Sequence, residues 1–410
     1  MRVALDNGSV CRFFMSGFIT HVIMLSLFVS VACLGGGRRA AAGRLNASGS
    51  ALGADGDGDW PTLSLSLAGE TRAGVMRGLA FLLEQQADNG SWQDDPTATA
   101  LVMIALANGR ELTGLPVERA VERGRQYLLA QAVDNGEADS PDTELGSVAA
   151  TAKAMLASMR WAGRSDEGSV MAMRQFVLAA QAMDQAEIGY GGFPRSPGGD
   201  PELATSYWAL EALIRSDHWD MRVRGIEQVE QIMTRRYQAL WQFFSDCQPA
   251  PATWPDGQPP DEGATEAAPF FASPEDLADK AQVPEAELLM PTLIGMRALI
   301  LMHSLAEDWR LPAAWAWLRE HWTETSLRPA GESEIYAAVF HLALVLSDMQ
   351  WHPAGAEPGD TLRQWRIFTA RELLGRQDGT GGWQSPDEPP SLATAYAVLS
   401  LMSALDVPAR

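Results

Sequence analysis

The stretch RGLAFLLEQQADNGSW, Arg77–Trp92, returns near the far end of the chain as ARELLGRQDGTGGW, Ala370–Trp383. Each copy reads as a helix that ends in glutamine, a glycine-rich turn and a tryptophan. Gln86 to Trp92 and Gln377 to Trp383 have the same separation of six residues. An apolar run follows each tryptophan: TATALVMIALANG, then SLATAYAVLSLMSAL. A unit that both opens and closes a region points to a repeat architecture in between.

The periodicity fills in the repeat. The segment Arg72–Gln86 places Val75, Leu79, Leu82 and Leu83 on one stripe, while Thr97–Ala107 is apolar nearly all round. The first pattern is that of an outer amphipathic helix and the second that of an inner helix buried on all sides. The same pairing recurs as Pro116–Gln131 with Thr143–Met159, and Ser169–Gln181 with Glu202–Ile214. It continues as Val223–Phe244 with Ala286–Leu305, Pro312–Trp322 with Glu332–Leu346, and Thr361–Gln377 with Ser391–Leu405. Helix-ending glutamines stand at Gln86, Gln131, Gln181, Gln248 and Gln377, and Gln248 to Trp254 again spans six residues. In the third unit Phe193 replaces the tryptophan after GYGG. The sixth hairpin is as regular as the first, and no capping helix follows Leu405. A linear solenoid needs polar caps. The expectation is an all-α fold, an (α/α)6 toroid whose inner helices form a barrel.

The Gln…Gly-x-Trp units resemble the QW repeats of squalene and oxidosqualene cyclases, a ring that recurs in protein prenyltransferase β subunits. The resemblance covers about Arg72 to Leu405. It implies that Gln86, Trp92, Gln248, Trp254, Gln377 and Trp383 are structural, tying neighbouring outer helices together. It implies no catalytic set, because this chain departs from the relatives' motifs. The Asp-x-Asp-Asp segment with which class II cyclases protonate an alkene or epoxide is absent, and Asp94-Asp95 lacks the first acid. The zinc pattern of prenyltransferases needs Asp-x-Cys and a distant histidine; here Asp246 and Cys247 are adjacent. His303 and His341, on inner helices, read as packed side chains, and Cys247 as a free thiol. No metal and no cofactor is expected.

A site belongs where turns enter the inner helices, since helix N-termini concentrate unpaired N–H groups. The acids there, Asp142, Glu144 and Glu334, are the weak catalytic candidates, and each is equally an ordinary helix cap. Asp142 stands beside Thr143, and Glu334 near Glu332; Glu202, Thr205 and Thr394 occupy other helix starts. Tyr207, Trp208, Tyr336 and Tyr396 are candidates to cup a hydrophobic ligand or a cation, and each is equally a core residue. Residues 255–287 form a long insertion with Phe270-Phe271 at its centre, read as a lid, a docking element or a disordered loop.

Outside the ring, residues 1–39 read as a signal peptide or membrane anchor. Phe13 to Leu34 is a nearly unbroken apolar run, long enough for a spanning helix, and Ser30-Val31-Ala32 offers small residues before a cleavage point that would leave Cys33 first. Residues 40–70 read as a flexible linker. Asp55-Gly56-Asp57-Gly58-Asp59 starts like a calcium loop, but Trp60 and Ser66 stand where that motif needs Gly and Glu. Residues 71–410 are the toroid. The chain is therefore expected outside the cytoplasm, secreted or anchored by residues 13–34. Its net charge of −21 repels phosphate backbones, so nucleic acid is not an expected partner.

Three functions remain open on the sequence. One is an isoprenoid- or lipid-binding or -transforming toroid; another is a non-catalytic scaffold for a protein partner; the last is a polysaccharide-processing ring. Cavity lining separates them: apolar and open for the first, filled for the second, polar with paired carboxylates for the third.

Overall fold

The outer helices begin with α1 (Leu65–Glu84), α3 (Glu118–Asp134) and α5 (Glu167–Ala179). They continue with α7 (Glu230–Asp246), α10 (Arg310–His321) and α12 (Trp365–Arg376). The inner helices are α2 (Pro96–Thr113), α4 (Val148–Trp161), α6 (Leu203–Arg224), α9 (Leu289–Leu301), α11 (Ile335–Met349) and α13 (Pro390–Ala404). A short α8 (Pro274–Ala278) and a 3₁₀ turn (Glu285–Leu288) precede α9. The structure, a computed structural model, describes residues 62–134, 147–161, 167–224, 230–249, 267–279, 283–302, 309–322, 335–349, 362, 364–386 and 388–405. All of these fall in one unit, Asp59–Arg410. Among them no helix is long and apolar enough to cross a membrane.

The ring closes. Each inner helix packs on the next, α2 on α4, α4 on α6, α6 on α9, α9 on α11 and α11 on α13, and α13 returns to α2. The outer helices cover the seams: α1 lies against both α2 and α13, and α12 touches α1. Residues such as Leu101, Ala152, Leu210, Met296, Val339 and Ala397, one from each inner helix, are fully buried. Burial of these positions explains the mainly apolar sequence of the inner helices.

The glutamines lock this ring by one repeated geometry. Gln86 Nε2 donates to the backbone oxygens of Gly90 (2.9 Å) and Ala120 (2.7 Å). Gln181 reaches Gly191 and Arg236, Gln248 reaches Ala268 and Arg310, and Gln377 reaches Gly381 and Gly74. One acceptor always lies in the glutamine's own turn; the other lies on the next outer helix. The bond from Gln377 to Gly74 joins the sixth unit to the first.

The aromatic that follows is pinned in the same way. The backbone N–H of Trp92 donates to the Thr99 hydroxyl, that of Phe193 to Ser206, that of Phe270 to Thr292 and that of Trp383 to Thr394. The indole N–H of Trp92 donates to Leu82 O and that of Trp383 to Leu373 O. Glycine is required in the turn: Gly90 and Gly191 have φ of 92° and 90°. A Cβ there would lie 2.4 Å from Arg123 O and 1.9 Å from Ala239 O. Their neighbouring helix passes too close for any side chain.

Several expectations change. In the fourth unit the six-residue spacing pointed to Trp254, which lies outside the described residues; the aromatic in the socket is Phe270. The geometry needs a carbonyl two positions before an aromatic, here Ala268, and is indifferent to how much chain intervenes. The insertion 255–287 is consequently not all loop. Phe270 and Phe271 are buried, and Phe271 packs with Leu288 and Trp317 in a satellite cluster. Their place in these clusters leaves neither ring to plug a mouth. Helix α1 starts at Leu65, inside the stretch read as linker, with the Ser64 hydroxyl accepting from Leu67 N. Val223, read as the start of an outer helix, belongs to the end of α6, because no glycine or proline interrupts Leu203–Arg224. The outer helix of the second unit starts at Glu118 rather than Pro116.

Candidate functional site

The six inner helices converge on a cavity of about 50 Å3. Its walls are Leu101 and Ile104 of α2, Leu156 of α4, Leu344 of α11, and Leu399 and Met402 of α13. Trp208 of α6 and Phe340 of α11 also face it, their rings stacked with centroids 6.4 Å apart. Four charged side chains line it as well: Arg160, Glu211, Arg215 and Arg297. Helical spacing sets this gradient. On α4 Lys153, Leu156 and Arg160 share a stripe, and on α6 Trp208, Glu211 and Arg215 do. Both stripes run from the aromatic rings to the arginines.

The rings form a layer across the toroid. Tyr207 meets Trp208 edge-on at 5.1 Å, and Tyr396 packs on Phe340 at 5.3 Å. His341 lies 5.4 Å from Tyr207 and 5.2 Å from Phe340. Burial, and then the positive charge of Lys153, lower His341 to about 3, so the ring is neutral at ordinary pH. Lys153 places its ammonium 4.7 Å from the centroid of Trp208. Burial pulls that ammonium down to about 8. Asp95, Glu202 and Glu388, near the starts of α2, α6 and α13, oppose this, while Arg195 adds to it. One side of the layer therefore faces carboxylates through Lys153, and the other faces arginines.

Glu211 is the carboxylate on the arginine side. Burial alone would raise it, but Arg297, Arg215 and Arg160 outweigh that, and the Tyr207 hydroxyl donates to it at 2.7 Å. The net effect holds Glu211 below the usual carboxylate range. Tyr207 moves the other way, pushed up by burial and then by Glu211. The pair is a neutral phenol donating to an ionised acid. An acid held ionised cannot deliver a proton to an alkene.

Three of the aromatic candidates, Tyr207, Trp208 and Tyr396, come together in the layer. Tyr336 does not join them; its hydroxyl donates to Gln384 O at 3.0 Å, tying α11 to the turn after Trp383. The weak acid candidates Asp142, Glu144 and Glu334 lie outside the described residues, as do Thr143, Glu332 and His303. Of the other helix-start residues, Thr205 donates to Glu202 at 2.5 Å, and the Thr394 hydroxyl serves the Trp383 clasp. Cys247 is fully buried at the end of α7, with its thiol pushed well up by burial. Among the described residues no group of His, Cys, Asp and Glu is placed to hold a metal ion. Phe340 and the charges Arg160, Glu211, Arg215 and Arg297 were not singled out in the sequence. The signal available was charge placed within the mainly apolar stretches of α4, the first half of α6 and α9.

No protein-family profile matches the chain, and no curated protein does. Solved structures of the type II terpene cyclase MstE from Scytonema are similar to it. The apo enzyme matches at 15% identity and a TM-score of 0.53, over 83% of this chain and 99% of that one. A variant in complex with its substrate geranylgeranyl dihydroxybenzoate matches at 13% and 0.52, over 84% and 99%. A complex with the product merosterolic acid A matches at 16% and 0.51, over 84% and 100%. The chain thus has the all-α toroid fold found in type II terpene cyclases.

Proposed function

We propose that this chain is a QW-repeat toroid that holds a hydrophobic isoprenoid or other lipid at its centre, in a protein exported or tethered by residues 13–34. The observation that carries the reading is the cavity on which all six inner helices converge, walled by Leu101, Ile104, Leu156, Leu344, Leu399 and Met402. Branched aliphatic walls with stacked rings at one end suit a branched hydrocarbon. MstE, with the same fold, is seen with a geranylgeranyl compound bound. A cavity of about 50 Å3 is a few times what one water needs, and well short of the roughly 300 Å3 at which ligand pockets begin. It takes one short branched end of a chain, with the remainder extending through the mouth. Glu211, held below the usual carboxylate range by the arginines, does not supply a proton to start a cyclisation.

The scaffold reading draws on the same small volume and on the stacked Trp208–Phe340 pair that fills the centre. Paired carboxylates, which the polysaccharide reading needs, are not among the described lining residues, where Glu211 stands alone. Purification of the full chain in mild detergent, organic extraction and mass spectrometry decide between the first two. An enriched polyprenyl lipid, lost in a Leu101→Trp variant that fills the cavity, is the expected result. A folded protein that carries no lipid, and takes up no polyprenyl compound when offered it, refutes the reading and favours the scaffold.

A further inference from the structure

The chain is nearly without lysine. Among its 31 basic residues only Lys153 and Lys280 are lysines, and the rest are arginines. One of those two stands at the centre of the ring. Lys153, on α4, is 7% exposed and holds its ammonium 4.7 Å from the centroid of Trp208. Trp208 walls the cavity, and so does Leu156, on the same stripe of α4 as Lys153. A chain that uses arginine almost everywhere has its exception beside the apolar chamber. The two side chains differ in a property that matters there. Arginine stays charged in a protein, whereas a buried lysine gives up its proton and becomes a nucleophile.

Burial has that effect here. It pulls the Lys153 ammonium down to about 8, although Asp95, Glu202 and Glu388 oppose the fall. At pH 7 roughly a tenth of such an amine is free base, on the order of a hundred times the share of a lysine near 10.4. A second buried group in the same layer is unsatisfied. His341 is 3% exposed, its ring lies 6.1 Å from that of Trp208, and its Nδ1 has no hydrogen-bond partner among the described residues. Lys153 is near enough to lower the imidazole by its charge. A free amine and an unsatisfied ring nitrogen, both buried among aromatic rings at an apolar wall, suit a small group that carries an electrophilic carbon and an oxygen.

We propose that Lys153 captures an isoprenoid aldehyde as an imine. This rests on the lipid-binding reading above and names the functional group of its ligand. The short branched end that the cavity admits is then the terminal isoprene unit that carries the carbonyl. The Nζ lone pair attacks the carbonyl carbon, the C=O π electrons move to oxygen, and that oxygen takes a proton from the nitrogen to give a carbinolamine. His341 Nδ1 is available to hydrogen-bond the new hydroxyl. The hydroxyl then leaves with the nitrogen's remaining proton, so one aldehyde and one amine become one imine and one water. Nothing is oxidised or reduced. A protonated imine keeps positive charge where the face of Trp208 and the carboxylates Asp95, Glu202 and Glu388 already favour it.

The full chain in mild detergent is incubated at pH 7 with farnesal and sodium cyanoborohydride, which reduces an imine to a stable secondary amine. Peptide mass spectrometry locates the adduct, with Lys280 as the internal control. Labelling of Lys153 is expected to exceed that of Lys280 at least about tenfold, inside the roughly hundredfold difference in free amine. In urea the two lysines are expected to label alike, because the unfolded chain has no burial to lower either. Excess farnesol, which cannot form an imine, is expected to suppress the adduct at Lys153 and leave Lys280 unchanged. The cavity-filling Leu101→Trp is expected to do the same, and if that variant does not fold, the farnesol competition on the parent still decides. Equal labelling of the two lysines in the folded chain, or an excess at Lys153 that farnesol does not compete, overturns the imine site. Propanal labelling Lys153 as well as farnesal does overturns the isoprenoid assignment. Farnesol bound by calorimetry, with no farnesal adduct at Lys153, overturns this inference and leaves the lipid reading standing. Failure of every prenyl compound to bind overturns both.

Discussion

The bond that closes the ring gives the sharpest test of the architecture. Gln377→Met keeps the side chain's length and removes its amide. The variant loses the donations to Gly74 O at 2.9 Å and Gly381 O at 2.8 Å, together with the oxygen that Arg77 uses. Neutral hydrogen bonds of this kind contribute about 0.5–1.5 kcal/mol each, net of water. The Arg77 contact is at the surface and adds little. The expected loss is about 1–3 kcal/mol. Unfolding entropy of about 2.1 cal/mol/K per residue, over roughly 340 residues, turns that into a fall of about 1–4 °C in Tm. Differential scanning calorimetry reads it, with Gln238→Met on the exposed side of α7 as control. Gln86→Met, which loses the equivalent bonds to Gly90 and Ala120, is expected to match it. Limited proteolysis adds a second readout, since only Gln377→Met loosens the seam between α12 and α1. A Gln377→Met variant that melts with the control, or an unchanged digestion pattern at that seam, refutes the closing role.

Further outcomes follow from the same geometry. Phe270→Ala, at a fully buried site, is expected to cost about 3–5 kcal/mol in urea unfolding; Thr292→Val, which strands the Phe270 N–H, costs about 1–3 kcal/mol. A Phe270→Ala loss below about 1 kcal/mol would show that the fourth unit is clasped by something else. His341 is held at about 3 by burial and Lys153, with Arg297 adding and Glu211 opposing. The unfolded ring, near 6.5, binds a proton more readily than the folded one. The stabilisation from a neutral His341 is therefore complete above pH 6.5 and drains away as pH falls toward 3, by up to about 1.4 kcal/mol per pH unit. His341→Phe should become more stable relative to the parent between pH 6 and pH 4, and parallel stability curves would contradict this. Cys247, fully buried with a raised thiol, should resist maleimide in the native protein and react in denaturant, as located by peptide mass spectrometry; rapid native labelling there would refute its burial.

The ring was legible because its signals are local. Gln86 and Trp92 sit six residues apart, and α2 is apolar on every face, so a short window holds the whole pattern. The fourth clasp was not legible because Gln248 and Phe270 are separated by a long excursion, and spacing carries no information across it. The partner hydroxyls Thr99, Ser206, Thr292 and Thr394 are buried completely and read in sequence as ordinary helix residues. The aromatic layer was half visible: Tyr207, Trp208 and Tyr396 were singled out near helix starts, while Phe340 and His341, as near the start of α11, read as ordinary core residues. Which charges face the centre depends on rotation of each inner helix about its axis. That rotation is set by the ring, and no single helix encodes it.

Closure also fixes a schedule. The bond between Gln377 and Gly74 joins residues 303 apart in sequence, and α1 packs on α13 as well as on α2. Chains are synthesised at about 5–20 residues per second. Helix α1 therefore waits roughly 15–60 s for the helices that cover its far side, and during that time Gly74 and Gly78 lack the Leu374, Leu401, Val398 and Trp383 side chains that they meet in the closed ring. A linear array can settle repeat by repeat as it emerges. This ring cannot, and its apolar seam stays open until the last hairpin arrives. The first helix is thus the segment most in need of a temporary partner during synthesis. The cost of closing so distant a loop grows only slowly with its length, so this is a problem of time more than of stability.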